Sequence, residues 1–171
     1  MIQACKIFLD EQIKQIGYFD NTNVFYDRMP RDFLKDNRLA VIYDLVSDNF
    51  DKVSRKVHVE RNQGKTSYVY TLQRFERKIR FRCLFYSDNY AQLGEILEEF
   101  VLKIAETKKI YDSQNIEIRV ELDDVLRSQA DRDRKLLRPE KGIVRIIFVG
   151  GVFMSKQKPI IQDLNINIKE G

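Results

Sequence analysis

The sequence predicts an α+β fold: a mainly antiparallel β-sheet with two amphipathic helices packed on one face, in a single domain spanning residues 1–171. Three observations lead there. The run RFERKIRFRCLFY at residues 74–86 places Phe75, Ile79, Phe81, Cys83 and Phe85 on one side of a strand and Arg74, Lys78, Arg80 and Arg82 on the other, because successive strand side chains point to opposite faces. Two stretches repeat apolar residues at spacings of three and four, the mark of a helix with one buried stripe. They stand among several strand-like runs joined by short links, an order that favours antiparallel pairing and helices gathered in one layer.

Taken in order, Ile2, Cys5, Leu9, Ile13 and Ile16 form the stripe of a first helix, with Gly17 as its stop. NTNVFYD at 21–27 reads as a turn and a short strand, and Pro30 with the polar RDFLKDNR as a connection. LAVIYDLV at 39–46 is a continuous apolar run without helix caps, expected as a strand buried on both faces. Residues 47–54 are polar and read as a loop. RKVHVER at 55–61 alternates, with Val57 and Val59 on one side and Lys56, His58 and Glu60 on the other. NQGK at 62–65 is a hairpin turn signal. Residues 67–86 return as a strand too long to run straight, so a bend or bulge is expected at 73–76.

Asp88 or Asn89 caps a second helix, whose stripe is Leu93, Ile96, Leu97, Phe100, Val101 and Ile104. Lys108 and Lys109 lie near its C-terminal end, where cations suit the helix dipole. Ile116, Ile118, Val120 and Leu122 alternate with charged residues as a strand with one wet face. Residues 127–142 form a charged insertion, with Arg127, Arg132, Arg134, Lys135, Arg138 and Lys141 against Asp131, Asp133 and Glu140. IVRIIFVGGVF at 143–153 is a central strand in which Gly150 and Gly151 mark a bulge or a close backbone approach. Pro159 opens a last segment, IIQDLNINI, that half-alternates as an edge strand.

Composition narrows the function classes. Hydrophobic residues make up 43% of the chain against only 7 Gly and 3 Pro, so a packed core is the expectation and disorder is not. Net charge is +4, which permits contact with nucleic acid without demanding it. Cys5 and Cys83 stand at neither metal nor disulfide spacing and are expected as reduced, buried small hydrophobes. No apolar run approaches the roughly 20 residues of a membrane span, so no membrane partner is expected. The N-terminal MIQACKIFLDEQIKQ lacks the pattern of a signal peptide, and use in the cytoplasm, or in a particle assembled there, is expected.

No catalytic constellation emerges. His58 is the only histidine and is expected on a polar strand face, and no HExxH, GxSxG or phosphate-loop pattern occurs. No catalytic, cofactor-binding or metal residues are therefore assigned, and no enzyme is expected. An alternative is a magnesium-dependent nuclease using Asp44, Asp51, Glu60 and Lys65; Asp48, Lys56 and the cluster Glu121, Asp123 and Asp124 are further acidic and basic neighbours to weigh, since a metal needs two or three such oxygens together. Another is a nucleic-acid-binding module acting through Arg74, Lys78, Arg80 and Arg82. The same basic face serves equally as a subunit interface, because the guanidinium fork pairs carboxylates as well as phosphates. Arg127, Arg132, Arg134, Lys135 and Arg138 of the insertion are the other candidates for a subunit interface or a DNA channel.

The succession of the N-terminal helix MIQACKIFLDEQIKQI, the strand LAVIYDLV, the hairpin RKVHVER-NQGK-TSYVYTL, the run IRFRCLFYSDNYAQLGEILEEFVLKI and the closing IVRIIFVGGVF with PIIQDLNINI resembles the tail-terminator and tail-completion (neck) proteins of tailed bacteriophages, over nearly the whole chain. That resemblance implies a virion structural protein. It implies a homo-oligomeric ring, typically a hexamer, that caps the tail tube protein and meets the head-tail connector protein, with DNA passing through the lumen without sequence-specific binding. Such a ring is a closed heterologous assembly, in which one face of each subunit meets a different face of the next.

Overall fold

A computed structural model of the chain describes residues 1–36, 39–61, 67–128 and 140–159. Its elements are α1 (Ile2–Lys14), β1 (Val24–Tyr26), α2 (Phe33–Asp36), β2 (Ala40–Arg61), β3 (Ser67–Ser87), α3 (Tyr90–Glu106), β4 (Lys109–Tyr111), β5 (Glu117–Ser128) and β6 (Glu140–Pro159). The six strands form one sheet in the order β1-β2-β3-β6-β5-β4. All neighbours run antiparallel except β1 and β2. This is the expected α+β architecture, with β6 central between β3 and β5.

The two longer helices cover one face. From β3 come Ile79, Phe81, Cys83 and Phe85, and from β6 Val144, Ile146 and Phe148, all fully buried. Phe8 of α1 meets Phe148 edge-on at 6.0 Å between ring centres, and Phe100 of α3 meets Phe85 at 4.9 Å. Burying each such ring against others removes a large apolar area from water, worth roughly 1.5–3 kcal/mol apiece. Helix α3 starts as its sequence dictates: Asn89 is the cap, and its side-chain oxygen accepts from the backbone N–H groups of Ala91 and Gln92. Gly17 takes φ +80°, a left-handed turn just past the end of α1 that a side chain would strain.

Several sequence expectations change. The polar stretch 47–54 is not a loop but the middle of β2, one strand of 22 residues. Asp48 and Asp51 are held by β3 through cross-strand ion pairs with Arg77 and Lys78. The apolar run 39–46 is buried only at Ala40, Val41 and Tyr43, whereas Leu45 and Val46 are exposed. Val57 and Val59 do not share a clean face, because β2 carries extra residues where its register against β3 shifts, between Leu45 and Ser47, Lys52 and Arg55, and Lys56 and His58. The connection after Pro30 contains the short α2. The charged insertion is narrower than predicted, since Arg127 belongs to β5 and Glu140 to Gly142 belong to β6. Pro159 ends β6 rather than opening a new strand; the edge strand expected after it, like the turn at 62–65, lies outside the described residues.

The bulge expected at 73–76 is present: Gln73 pairs with Phe153 and Phe75 with Val152, leaving Arg74 over. At the same level β2 passes from Lys52 to Arg55. Gly150 is a close approach, as a Cβ there would lie 2.9 Å from the Met1 side chain.

Beyond this level the helices stop and the strands do not. Residues 52–61 of β2, 67–75 of β3 and 152–159 of β6 continue as a three-stranded ribbon about 25 Å long at 3.3 Å per residue. Neither β1 nor β5 reaches it, as β1 pairs only with residues 41–43 of β2 and β5 stops pairing at Gly150.

Candidate functional site

The open side of the sheet, opposite the helices, carries the basic residues that the sequence singles out. The structure surrounds them with acids from neighbouring strands. Arg82 grips Asp44 with two nitrogens, Nε donating to Oδ1 at 3.0 Å and Nη2 to Oδ2. Lys78 donates to Asp51 at 2.8 Å and stands 3.6 Å from Glu76. The Nε of Arg80 is 3.3 Å from Asp123, at an angle that leaves it buried without a hydrogen bond. Arg145 of β6 donates to Asp124 at 3.1 Å, and Arg119 of β5 stands near both Glu76 and Glu121. The hydrogen bonds raise the proton affinity of Arg82 and Lys78 above their ordinary values, so both stay charged and held.

The predicted basic face is therefore a mixed-charge ladder, closed within one chain. Pairs this exposed contribute little each to stability. Their consequence is for recognition: a guanidinium already forked onto a carboxylate offers a phosphate much less than a free one does. Arg74 stands apart from the ladder, at the bulge where the ribbon begins.

On the helix side, just where the helices end, Arg77 forks onto Asp48, and its guanidinium lies 5.0 Å from the ring centre of Phe50. Sequence reading misses this pair because Asp48 lies in a polar stretch, 47–54, that reads as a loop. The signal that could have found it is the parity of Arg77, which falls with Ile79 and Phe81 on the apolar side.

The carboxylates of the nuclease alternative do not converge. Asp44, Asp51 and Glu60 are strung along β2 over 16 residues, about 50 Å of strand, and Asp44 and Asp51 are ion-paired to Arg82 and Lys78. Lys65 lies outside the described residues. Among the described residues no group of three or more His, Cys, Asp or Glu side chains is placed to hold a metal ion. His58 is exposed on the ribbon, 3.9 Å from Glu60. Burial pushes the thiol of Cys5 up to about 12, and that of Cys83 is raised further by its complete burial, so neither is a nucleophile at neutral pH.

Of the insertion's basic candidates, Arg127 is placed: it lies over the Tyr90 ring at 4.0 Å and donates to the Tyr90 carbonyl at 2.8 Å, tying β5 to the start of α3. Arg132, Arg134, Lys135 and Arg138 lie outside the described residues.

The ribbon is the feature that sequence reading did not isolate. Its sequence holds Lys52, Arg55, Lys56, Arg61, Arg74, Lys156 and Lys158 against the single acid Glu60, while the whole chain carries a net charge of only +4. The remainder of the chain is therefore net acidic. Val57, Val59, Tyr68, Phe75, Phe153 and Met154, distributed over its two faces, are each between a third and just over half exposed along it. Compared with known proteins, the sequence matches no family model and no curated protein.

Proposed function

We propose that this chain is a structural subunit that works by assembling, as the tail-terminator resemblance implies: one member of a ring in the neck of a tailed bacteriophage, seated between the tail tube and the head connector. The observation that carries the assembly reading is the ribbon. Ordering each of its residues costs about 1–2 kcal/mol in backbone entropy, and a three-stranded extension on which no layer packs among the described residues recovers little of that by burial. A neighbour laid on the ribbon supplies the missing layer. The neutralised open side of the body suits the same role, because ion pairs closed within the subunit leave few free cations to hold passing DNA by its phosphates. The ring and its virion partners rest on the resemblance in element order; assembly as such rests on the ribbon.

The test is direct. Purified protein is followed by size-exclusion chromatography with light scattering across the micromolar range, imaged by negative stain, and mixed with purified tail tubes. Closed rings, or binding confined to tube ends, are the expected outcome. A single monomeric species at every concentration, with no affinity for tube ends, overturns the proposal.

A further inference from the structure

The end of the sheet opposite the ribbon carries a second surface that no described residue covers. Between α3 and β5 runs a shallow groove of about 350 Å³, lined by Gly94, Leu97, Glu98, Val101, Val125 and Arg127. Its floor is apolar, and Val125 is 41% exposed there although it lies on the helix side of its strand. The Arg127 guanidinium is engaged with Tyr90, which leaves Glu98 as the charge at the rim. The helix above is acidic, with Glu95, Glu98, Glu99 and Glu106 against Lys103. Next to the groove, β5 has a partner strand on its outer side only over residues 117–119, among the described residues.

The ribbon is the complement of this surface. Its helix-side face reads, from register, Lys52, Lys56 and Val59 on β2, Tyr70, Leu72 and Phe75 on β3, and Val152, Met154 and Lys156 on β6. Cations therefore flank an apolar centre, where the groove places an acid beside an apolar floor. The two surfaces sit toward opposite ends of the sheet. The groove lies over Gly142, which is covered by Leu97, and the ribbon begins at Val152, about 30 Å further along β6. A subunit cannot satisfy its own groove with its own ribbon across that distance.

We infer that the basic ribbon of one copy docks on the acidic, apolar α3–β5 groove of a second copy, head to tail. Unlike surfaces meeting at opposite ends make a heterologous contact, which propagates until the rotation closes it into a ring. Charge complementarity sets the direction, and the apolar and aromatic side chains between the cations match the apolar floor of the groove. The inference rests on the self-assembly reading above and adds to it which two surfaces meet.

Two sets of variants of the full chain test it. Lys56→Cys and Glu98→Cys are made separately and mixed under mild oxidation; the native Cys5 and Cys83 are fully buried and do not compete. A disulfide-linked pair formed only in the mixture is expected. In parallel, Lys52→Glu/Lys56→Glu/Lys156→Glu is expected to lose assembly while keeping its circular dichroism spectrum, and to regain it when mixed with Glu95→Lys/Glu98→Lys. If the wild-type protein never assembles, the self-assembly reading itself fails. If it assembles but the triple variant assembles equally well and no mixed disulfide forms, the docking inference alone is overturned. It is also overturned, in favour of a nucleic-acid surface, if the triple variant keeps assembly but loses salt-sensitive binding of a single-stranded oligonucleotide that the wild type shows.

Discussion

Arg77 on β3 and Asp48 on β2 meet through two hydrogen bonds, at 2.8 and 2.7 Å, on the helix side of the sheet at the level where helical cover ends. Both side chains are about three-quarters shielded from water, and the pair closes the open end of the core. The guanidinium holds the Asp48 carboxyl below the usual carboxylate range.

Removing that charge has a pH signature. Because the folded state depresses the Asp48 value, the pair contributes its stability above the ordinary carboxylate range and loses it as the pH falls through the folded-state value. Asp48→Asn is expected to destabilise by about 1–3 kcal/mol at pH 7 and by much less near pH 3. Urea midpoints of wild type and variant at the two pH values check this; an equal gap at both would show that the carboxylate charge is not what matters.

Asn89→Ala removes the side-chain oxygen that accepts from Ala91 and Gln92 at the start of α3. A loss of about 1 kcal/mol in thermal or chemical unfolding is expected, with Asn89→Asp close to wild type because a carboxylate caps as well and suits the helix dipole.

Phe81 is fully buried and meets Phe148 edge-on, with ring centres 5.8 Å apart. Phe81→Ala leaves a cavity between the sheet and the helices and is expected to cost about 3–5 kcal/mol. Phe81→Leu should cost markedly less, and comparison of the two by denaturant titration separates lost volume from lost ring packing.

Cys83 lies on the helix side of β3 with no solvent exposure, and Cys5 is equally buried. Neither thiol should react with a thiol-specific reagent in the native state at pH 8. Both should be labelled in denaturant, with native-state labelling rates that follow the unfolding equilibrium. Rapid labelling of folded protein would contradict the core described here.

What the sequence made legible was what short-range patterning encodes. The stripe of α3 and its Asn89 cap lie within a few residues of each other, and the alternation of Ile79, Phe81, Cys83 and Phe85 names the buried face without outside help. The bulge at Arg74 was readable from length alone. Residues 47–54 were not, because Ser47, Asp48, Asn49 and Asp51 are poor strand formers that β3 holds in place through Arg77 and Lys78. The charge ladder was hidden for the same reason: Asp44 and Arg82 are 38 residues apart, and only the β2–β3 register brings them together. The ribbon escaped notice since strand signals in a sequence do not reveal where the covering helices end.

The unequal spacing of paired residues at the base of the ribbon has one more implication. Between matching rungs, β2 holds two surplus residues, Val53 and Ser54, β3 holds Arg74, and β6 holds none. Surplus residues on a strand bend it locally and sharpen its twist, and β2 takes the longer path there. Adding or deleting a residue on one strand at this level would turn every side chain beyond it to the other face, so strand length here fixes which side chains the projection presents on each side.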